Sequence, residues 1–156
     1  MLKVVEIEGA LRRINGDIFQ EFCHHYLYLK LNPNSITPFG SVIGKEKSRK
    51  GIPDCYMKSS DGKLVFAEYT TQEKLGSGAN FFKKLKSDIE NCFDTSKTGL
   101  KAEQIDQVIL CFTDHIKPDE RINLEQICKK YNPKCKLDLI GIRDLAYAVL
   151  DYPILG

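Results

Sequence analysis

Apolar residues first recur at Leu2, Val5, Ala10, Leu11 and Ile14, a loose helical spacing over Met1 to Ile14 that can follow an extended start. Asn15-Gly16-Asp17 breaks it. Asp17 then suits the N-cap of a second helix from Ile18 to about Lys30, with Phe19, Phe22, Cys23, Tyr26 and Leu29 on one stripe. Asn32-Pro33-Asn34 ends that helix. The pattern now shifts towards strands: Phe39 to Ile43 is a short one, Cys55 to Met57 another, and Leu64 to Thr71 is rich enough in β-branched and aromatic residues to be a buried one. Helical spacing returns over Phe81 to Phe93, with Phe81, Phe82, Leu85, Ile89 and Cys92 inward, and a polar loop follows from Asp94 to Glu103. Gln107 to Thr113 is the second buried-strand signal. Lys117-Pro118-Asp119 opens a helix to about Tyr131, Lys136 to Ile142 reads as a last strand, and Arg143 to Asp151 as a closing helix. This order predicts an α/β sandwich with a central mixed β-sheet flanked by helices.

The centre of the pattern is a hairpin, with Ser59-Ser60-Asp61-Gly62 turning between its arms. A three-residue loop, Ser60-Asp61-Gly62, sets Ser59 opposite Lys63 and Asp54 opposite Glu68; a two-residue Asp61-Gly62 loop displaces Asp54 by one register. In the first register the two carboxylates share a face, roughly 5 Å apart at Cβ. Two such charges repel, so a buried pair requires a cation or a shared proton. That is a magnesium-site geometry. Gln72 shares strand parity with Glu68 and Thr70, where it can orient water or a phosphate or simply be a polar strand end.

Length and composition set bounds around this picture. The 156 residues suit a single domain, residues 1–156, and 42% hydrophobic with 28% charged residues is an ordinary globular balance. A net charge of +2 does not by itself mark a nucleic-acid binder, but Lys45, Lys47, Arg49 and Lys50 crowd just ahead of Asp54 against Glu46 alone. That run suits backbone phosphates or a solvated loop equally. Gly76-Ser77-Gly78 lacks a phosphate-loop pattern and reads as a flexible turn. The six cysteines form no Cys-x-x-Cys pair and no zinc spacing, and Cys23 and Cys111 sit in apolar segments as buried thiols do. His24-His25 and His115 have no partner at ligand spacing. Free thiols and the lack of any apolar run near about 18 residues point to the cytoplasm, with no membrane contact. The run Tyr152 to Gly156 ends abruptly, as a domain cut from a longer protein would.

Pro53-Asp54, then Glu68-x-Thr70 on a buried strand, then a helix and another buried strand, resembles the PD-(D/E)XK nuclease superfamily with its restriction-endonuclease-like fold, over Phe19 to Thr113. Phe66-Ala67-Glu68-Tyr69-Thr70-Thr71-Gln72 is also similar to the Mrr-like nuclease domains at the N-terminus of some large bacterial antiphage NTPases. The resemblance implies that Asp54 and Glu68 hold Mg2+, for which Mn2+ can substitute. The Tyr69 carbonyl then adds an oxygen ligand, and Glu21 is either a third carboxylate or a solvated helix acid. Where the family has its lysine, this chain has Thr70, which carries no charge. Lys83, Lys84 and Lys86 on the following helix are the nearest ammonium groups by chain, with Lys84 the chosen replacement.

Hydrolysing a phosphodiester requires neutralising charge on the phosphate and lowering the pKa of the attacking water, and magnesium held by carboxylates does both. The expectation is therefore a metal-dependent endonuclease acting on DNA, the effector of a restriction or antiphage defence system. One acidic site cuts one strand at a time, so a double-strand break calls for a homo-oligomer or a larger multidomain protein. Two alternatives stay open: an RNA-directed nuclease, and a catalytically inactive member of the fold that binds nucleic acid or protein.

Overall fold

The structure, a computed structural model, describes residues 3–31, 35–38, 55–58, 64–71 and 79–152. In chain order these form α1 (Val4–Arg13), α2 (Gly16–Leu31), β1 (Ser35–Pro38), β2 (Cys55–Lys58), β3 (Leu64–Thr70), α3 (Ala79–Cys92), α4 (Thr95–Thr98), β4 (Gln107–Phe112), α5 (Pro118–Tyr131), β5 (Lys136–Ile140) and α6 (Ile142–Asp151). The two strongest strand signals pair with each other. β3 lies parallel to β4, with Glu68 beside Leu110 and Thr70 beside Phe112. β5 continues the sheet in parallel beyond β4, while β2 and then β1 add to the other edge of β3 in antiparallel fashion. The described sheet is thus mixed, in the order β1-β2-β3-β4-β5, with β3 in the middle.

Helices cover both faces, which is why β3 and β4 read as nearly unbroken apolar runs. Successive strand residues point to opposite faces. Val65 and Ala67 of β3, with Ile109 and Cys111 of β4, pack with Ile7 and Leu11 of α1, Phe19 and Leu27 of α2 and Leu145 of α6. Phe66, Val108, Leu110 and Phe112 pack on the other side against Phe81, Leu85 and Ile89 of α3 and Leu124 of α5. Both crossovers, β3-α3-β4 and β4-α5-β5, therefore lie on one face, and strand order advances steadily from β3 to β5.

Asp106 fixes the near end of these three strands. Its N–H donates to the Leu64 carbonyl at 2.9 Å, its carboxylate accepts from the Leu64 N–H at 3.0 Å, and its carbonyl accepts from the Lys136 N–H at 3.0 Å. On the α1 side, the buried Glu8 carboxylate accepts from Arg143 Nε of α6 at 3.2 Å, with His115 Nε2 3.9 Å away. A buried acid is tolerated there because a charged donor replaces its lost hydration.

Several boundaries differ from those the pattern predicts. Asn15, not Asp17, caps α2: its side-chain oxygen accepts from the Ile18 N–H at 2.9 Å, so Asp17 falls in the first turn, where the helix dipole favours an acid. The last strand stops at Ile140 because the Asp144 carboxylate reaches back to accept from the Gly141 N–H at 3.0 Å and starts α6 at Ile142. Within the predicted loop after α3, the Asp94 carboxylate accepts from the Ser96 N–H at 3.1 Å and opens the short α4, which ends at Gly99 with φ of 75°. β1, ending in Pro38, is not among the predicted strands; it is an outer strand of the described sheet, the kind of position where proline occurs in sheets. The strand expected over Phe39 to Ile43 lies outside the described residues. No helix among the described residues is long and apolar enough to cross a membrane.

Leu110 stands where the parallel pairing and the α3 face meet, and it is 1% exposed. Leu110→Ala should lower unfolding free energy by about 2–5 kcal/mol, the usual range for such a truncation in a close-packed core. Urea denaturation measures it; a loss under about 1 kcal/mol would contradict this account of the core.

Candidate active site

Glu68 owes its position to strand alternation. It follows Ala67 and precedes Tyr69, both of which belong to the face covered by α1, α2 and α6. Glu68 and Thr70 therefore share the face of Phe66, the one covered by α3 and α5. They are 5% and 6% exposed, so a carboxyl group and a hydroxyl are held deep on the sheet's middle strand. Such burial is costly for a carboxylate unless compensating charge or donors face it.

The hairpin register bears on the partner acid. Cys55 is beside Ala67, Tyr56 beside Phe66, Met57 beside Val65 and Lys58 beside Leu64. This is the register of the three-residue loop; a two-residue loop would have set Cys55 against Glu68. Asp54 and Gln72 themselves lie outside the described residues, as do the basic run from Lys45 to Lys50 and the Gly76-Ser77-Gly78 turn.

α3 brings its own charges to the same layer. Phe81, Leu85, Ile89 and Cys92 line its inner face, and the spacing of Phe81, Leu85 and Asp88 puts Asp88 on that face, 1% exposed. Lys84, one turn earlier, donates from Nζ to Asp88 Oδ1 at 2.5 Å. The Lys84 side chain is 41% exposed, so the pair runs from solvent inward. Of the three helix lysines, Lys83 and Lys86 are exposed and Lys84 alone is turned partly inward. Glu68, Thr70, Lys84 and Asp88 thus share the layer between the sheet and α3.

The remaining site residues lie elsewhere. Glu21 is exposed on α2, and α2 packs on the opposite face of the sheet from Glu68. Tyr69 turns its ring towards that opposite face, where it meets His24 edge-on with centroids 5.2 Å apart. Burial holds the His24 imidazole below its ordinary pKa, opposed by the nearby Glu21 carboxylate, and its Nε2 is buried without a hydrogen-bond partner among the described residues. This favours a neutral histidine packed against an aromatic ring.

Asp88 was missed by sequence reasoning. An acid on an amphipathic helix ordinarily reads as solvated, but here the signal was its place on the Phe81–Leu85 row. Among the described residues, no group of three or more His, Cys, Asp or Glu side chains is arranged to hold a metal ion. Comparison of the chain with protein-family profiles, with curated proteins and with solved structures finds no match.

Lys84→Met removes a charged donor from a buried carboxylate and should lower stability by about 1–2 kcal/mol. Lys83→Met, one position away but exposed, should change it by less than about 0.5 kcal/mol. Urea midpoints for the two variants compare them directly. Equal midpoints would show that the Lys84–Asp88 contact contributes nothing.

Proposed function

We propose that this chain is a divalent-metal-dependent endonuclease that hydrolyses phosphodiester bonds in DNA, with Asp54 and Glu68 as metal ligands. The observation that carries the reading is the hairpin register ending at Cys55 beside Ala67, with Glu68 next along β3 and buried. The proposal continues that register by one residue and so sets Asp54 against Glu68. An all-oxygen donor set of two carboxylates and the Tyr69 carbonyl suits a hard cation such as Mg2+ or Mn2+. When bound, the cation neutralises the scissile phosphate and lowers the pKa of the attacking water.

The chain's own residues supply the rest. Asp54 and Glu68 carry the negative charge that retains the cation; Glu21, exposed on the opposite face of the sheet, takes no part in it. Gln72 orients the water or a phosphate oxygen. Thr70 offers a hydroxyl in the lysine position, and Lys84 supplies the positive charge from α3. The proposal places the activity in a restriction or antiphage defence system in the cytoplasm. There the domain acts as a homo-oligomer or as part of a larger multidomain protein, the arrangement that presents two sites to a duplex.

A second reading, an inactive member of the fold that binds nucleic acid or protein, is favoured by two observations. Thr70 is buried in the lysine position, and the Lys84 ammonium is held by Asp88. Incubation with plasmid, linear DNA and RNA in magnesium, manganese or EDTA separates the readings. The nuclease reading expects metal-dependent DNA cleavage that Asp54→Asn or Glu68→Gln lowers by about 100-fold or more while the fold persists, the scale of losing one strong electrostatic contact. Full magnesium-dependent cutting by the double mutant would overturn the assignment.

The paired-site expectation has its own test. Across a protein concentration series, linear product should rise more than in proportion to enzyme, with nicked circles dominating at low concentration. A monomer by light scattering that gives linear product in first-order proportion to its concentration would refute it.

A further inference from the structure

β4 and β5 end side by side, but the chain leaves them towards opposite faces of the sheet. After β4 it passes to α5, whose Leu124 packs with Phe66, Leu110 and Phe112. After β5 it passes to α6, whose Ile142, Leu145 and Ala146 pack with Ala67, Ile109 and Cys111. Helices that diverge in this way leave a crevice at the carboxyl ends of the two strands, the place where open α/β sheets take their ligands. A crevice of about 110 Å3 lies there, bounded by Phe112 at the end of β4 and Gly141 just after β5. Arg121 and Asp144 line it and also line a larger groove, of about 360 Å3, beside β5.

The smaller crevice is lined mainly by nitrogen donors. Arg121 reaches it from the first turn of α5, Arg143 from the first turn of α6 and His115 from the loop between β4 and α5. Asp144 is the acid among its lining residues, and its carboxylate already accepts from the Gly141 N–H at 3.0 Å. The buried Glu8 holds Arg143 through Nε at 3.2 Å, which offsets its charge, fixes the side chain and leaves the other guanidinium N–H groups to donate. Arg121 is exposed, and among the described residues it has no ion-pair partner. The larger groove adds Lys30, Asp138 and the Tyr147 ring, which is 51% exposed.

We propose that this crevice binds the phosphate group of a nucleotide, held by Arg121 and Arg143, with the base in the larger groove beside Tyr147. The volumes separate the two roles. At about 30 Å3 per water, 110 Å3 holds roughly three or four waters, enough for one tetrahedral oxyanion and too little for a sugar and base. The groove, at about 360 Å3, falls within the roughly 300–1,000 Å3 usual for small organic ligands. Guanidinium forks match phosphate oxygens, and an exposed tyrosine ring offers a base a stacking face. Asp144 and Asp138, the latter already accepting from Gln107, keep acceptor capacity for the N–H and O–H groups of base and sugar. None of these residues belongs to the proposed metal site, so the inference stands apart from the nuclease reading.

The experiment titrates the whole chain calorimetrically, in EDTA and low salt, with adenosine monophosphate, adenosine, inorganic phosphate and a short oligodeoxyadenylate. EDTA removes any metal-dependent chemistry, so failure here and failure of the nuclease reading are distinguishable. The expected result is saturable binding of the monophosphate, about ten-fold or more tighter than that of adenosine or of phosphate alone. Arg121→Gln should weaken it about ten-fold, the scale of losing one charge-assisted hydrogen bond, while Lys129→Gln, exposed near the far end of the same helix, should leave it unchanged. Tyr147→Ala should weaken the monophosphate and not phosphate. Circular dichroism checks that the variants fold. An oligonucleotide that binds more tightly than the monophosphate, and is weakened by Arg121→Gln, supports the site with a nucleic-acid chain as the source of the phosphate; the reverse order supports it with a free nucleotide. No saturable binding of either, or binding unchanged in Arg121→Gln, would overturn the proposal.

Discussion

The parallel pairing of β3 with β4 is the constraint on which the rest of the molecule depends. It buries both strands on both faces, sends α3 and α5 to one side, and leaves α1, α2 and α6 to cover the other. It also decides where Glu68 sits. With Ala67 and Tyr69 committed to the opposite layer and Leu110 as its neighbour, Glu68 is held on the α3/α5 face, 5% exposed. Ionised carboxylates avoid such places unless something compensates them, since desolvation costs several kcal/mol. An acid kept on the middle strand of the described sheet therefore calls for donors or charge to face it, and the proposed cation is one such source.

The layer beneath α3 has a charge distribution of its own. Asp88, as buried as the apolar residues around it, draws the Lys84 ammonium inward from a half-exposed position. In the proposed nuclease this supplies, from a helix, a positive charge that the resembled family carries on the strand, where Thr70 now stands. The arrangement also explains why Lys84 and not its exposed neighbour Lys83 is tied to the fold.

Long, strongly periodic segments were legible in the sequence. β3, β4 and α3 fall where the apolar spacing puts them, because each buries enough surface for its pattern to dominate local preferences, and α5 falls where the Lys117-Pro118-Asp119 start signal puts it. The hairpin was legible only to within two registers, since Ser59-Ser60-Asp61-Gly62 can close with either loop; the neighbours of Cys55 and Tyr56 distinguish them. Short and boundary features were not legible. β1, between the Asn32-Pro33-Asn34 break and the strand expected from Phe39, has no signal of its own, and Asn15, part of the break between the first two helices, is the cap of α2 through its amide oxygen. Nothing in the sequence around Glu8 or Asp88 marks either acid as buried. One is buried by Arg143, distant in the chain, and the other by the sheet itself, so neither burial could be read from local composition.

The central claim is that Glu68 and Asp54 together hold a divalent cation. Calorimetric titration of the folded protein with Mn2+ and Mg2+, repeated on Glu68→Gln and Asp54→Asn, addresses it without requiring a substrate. The account predicts saturable binding in the wild type that is lost in both variants while their circular dichroism spectra are unchanged. Equal stoichiometry and affinity in all three proteins would contradict it.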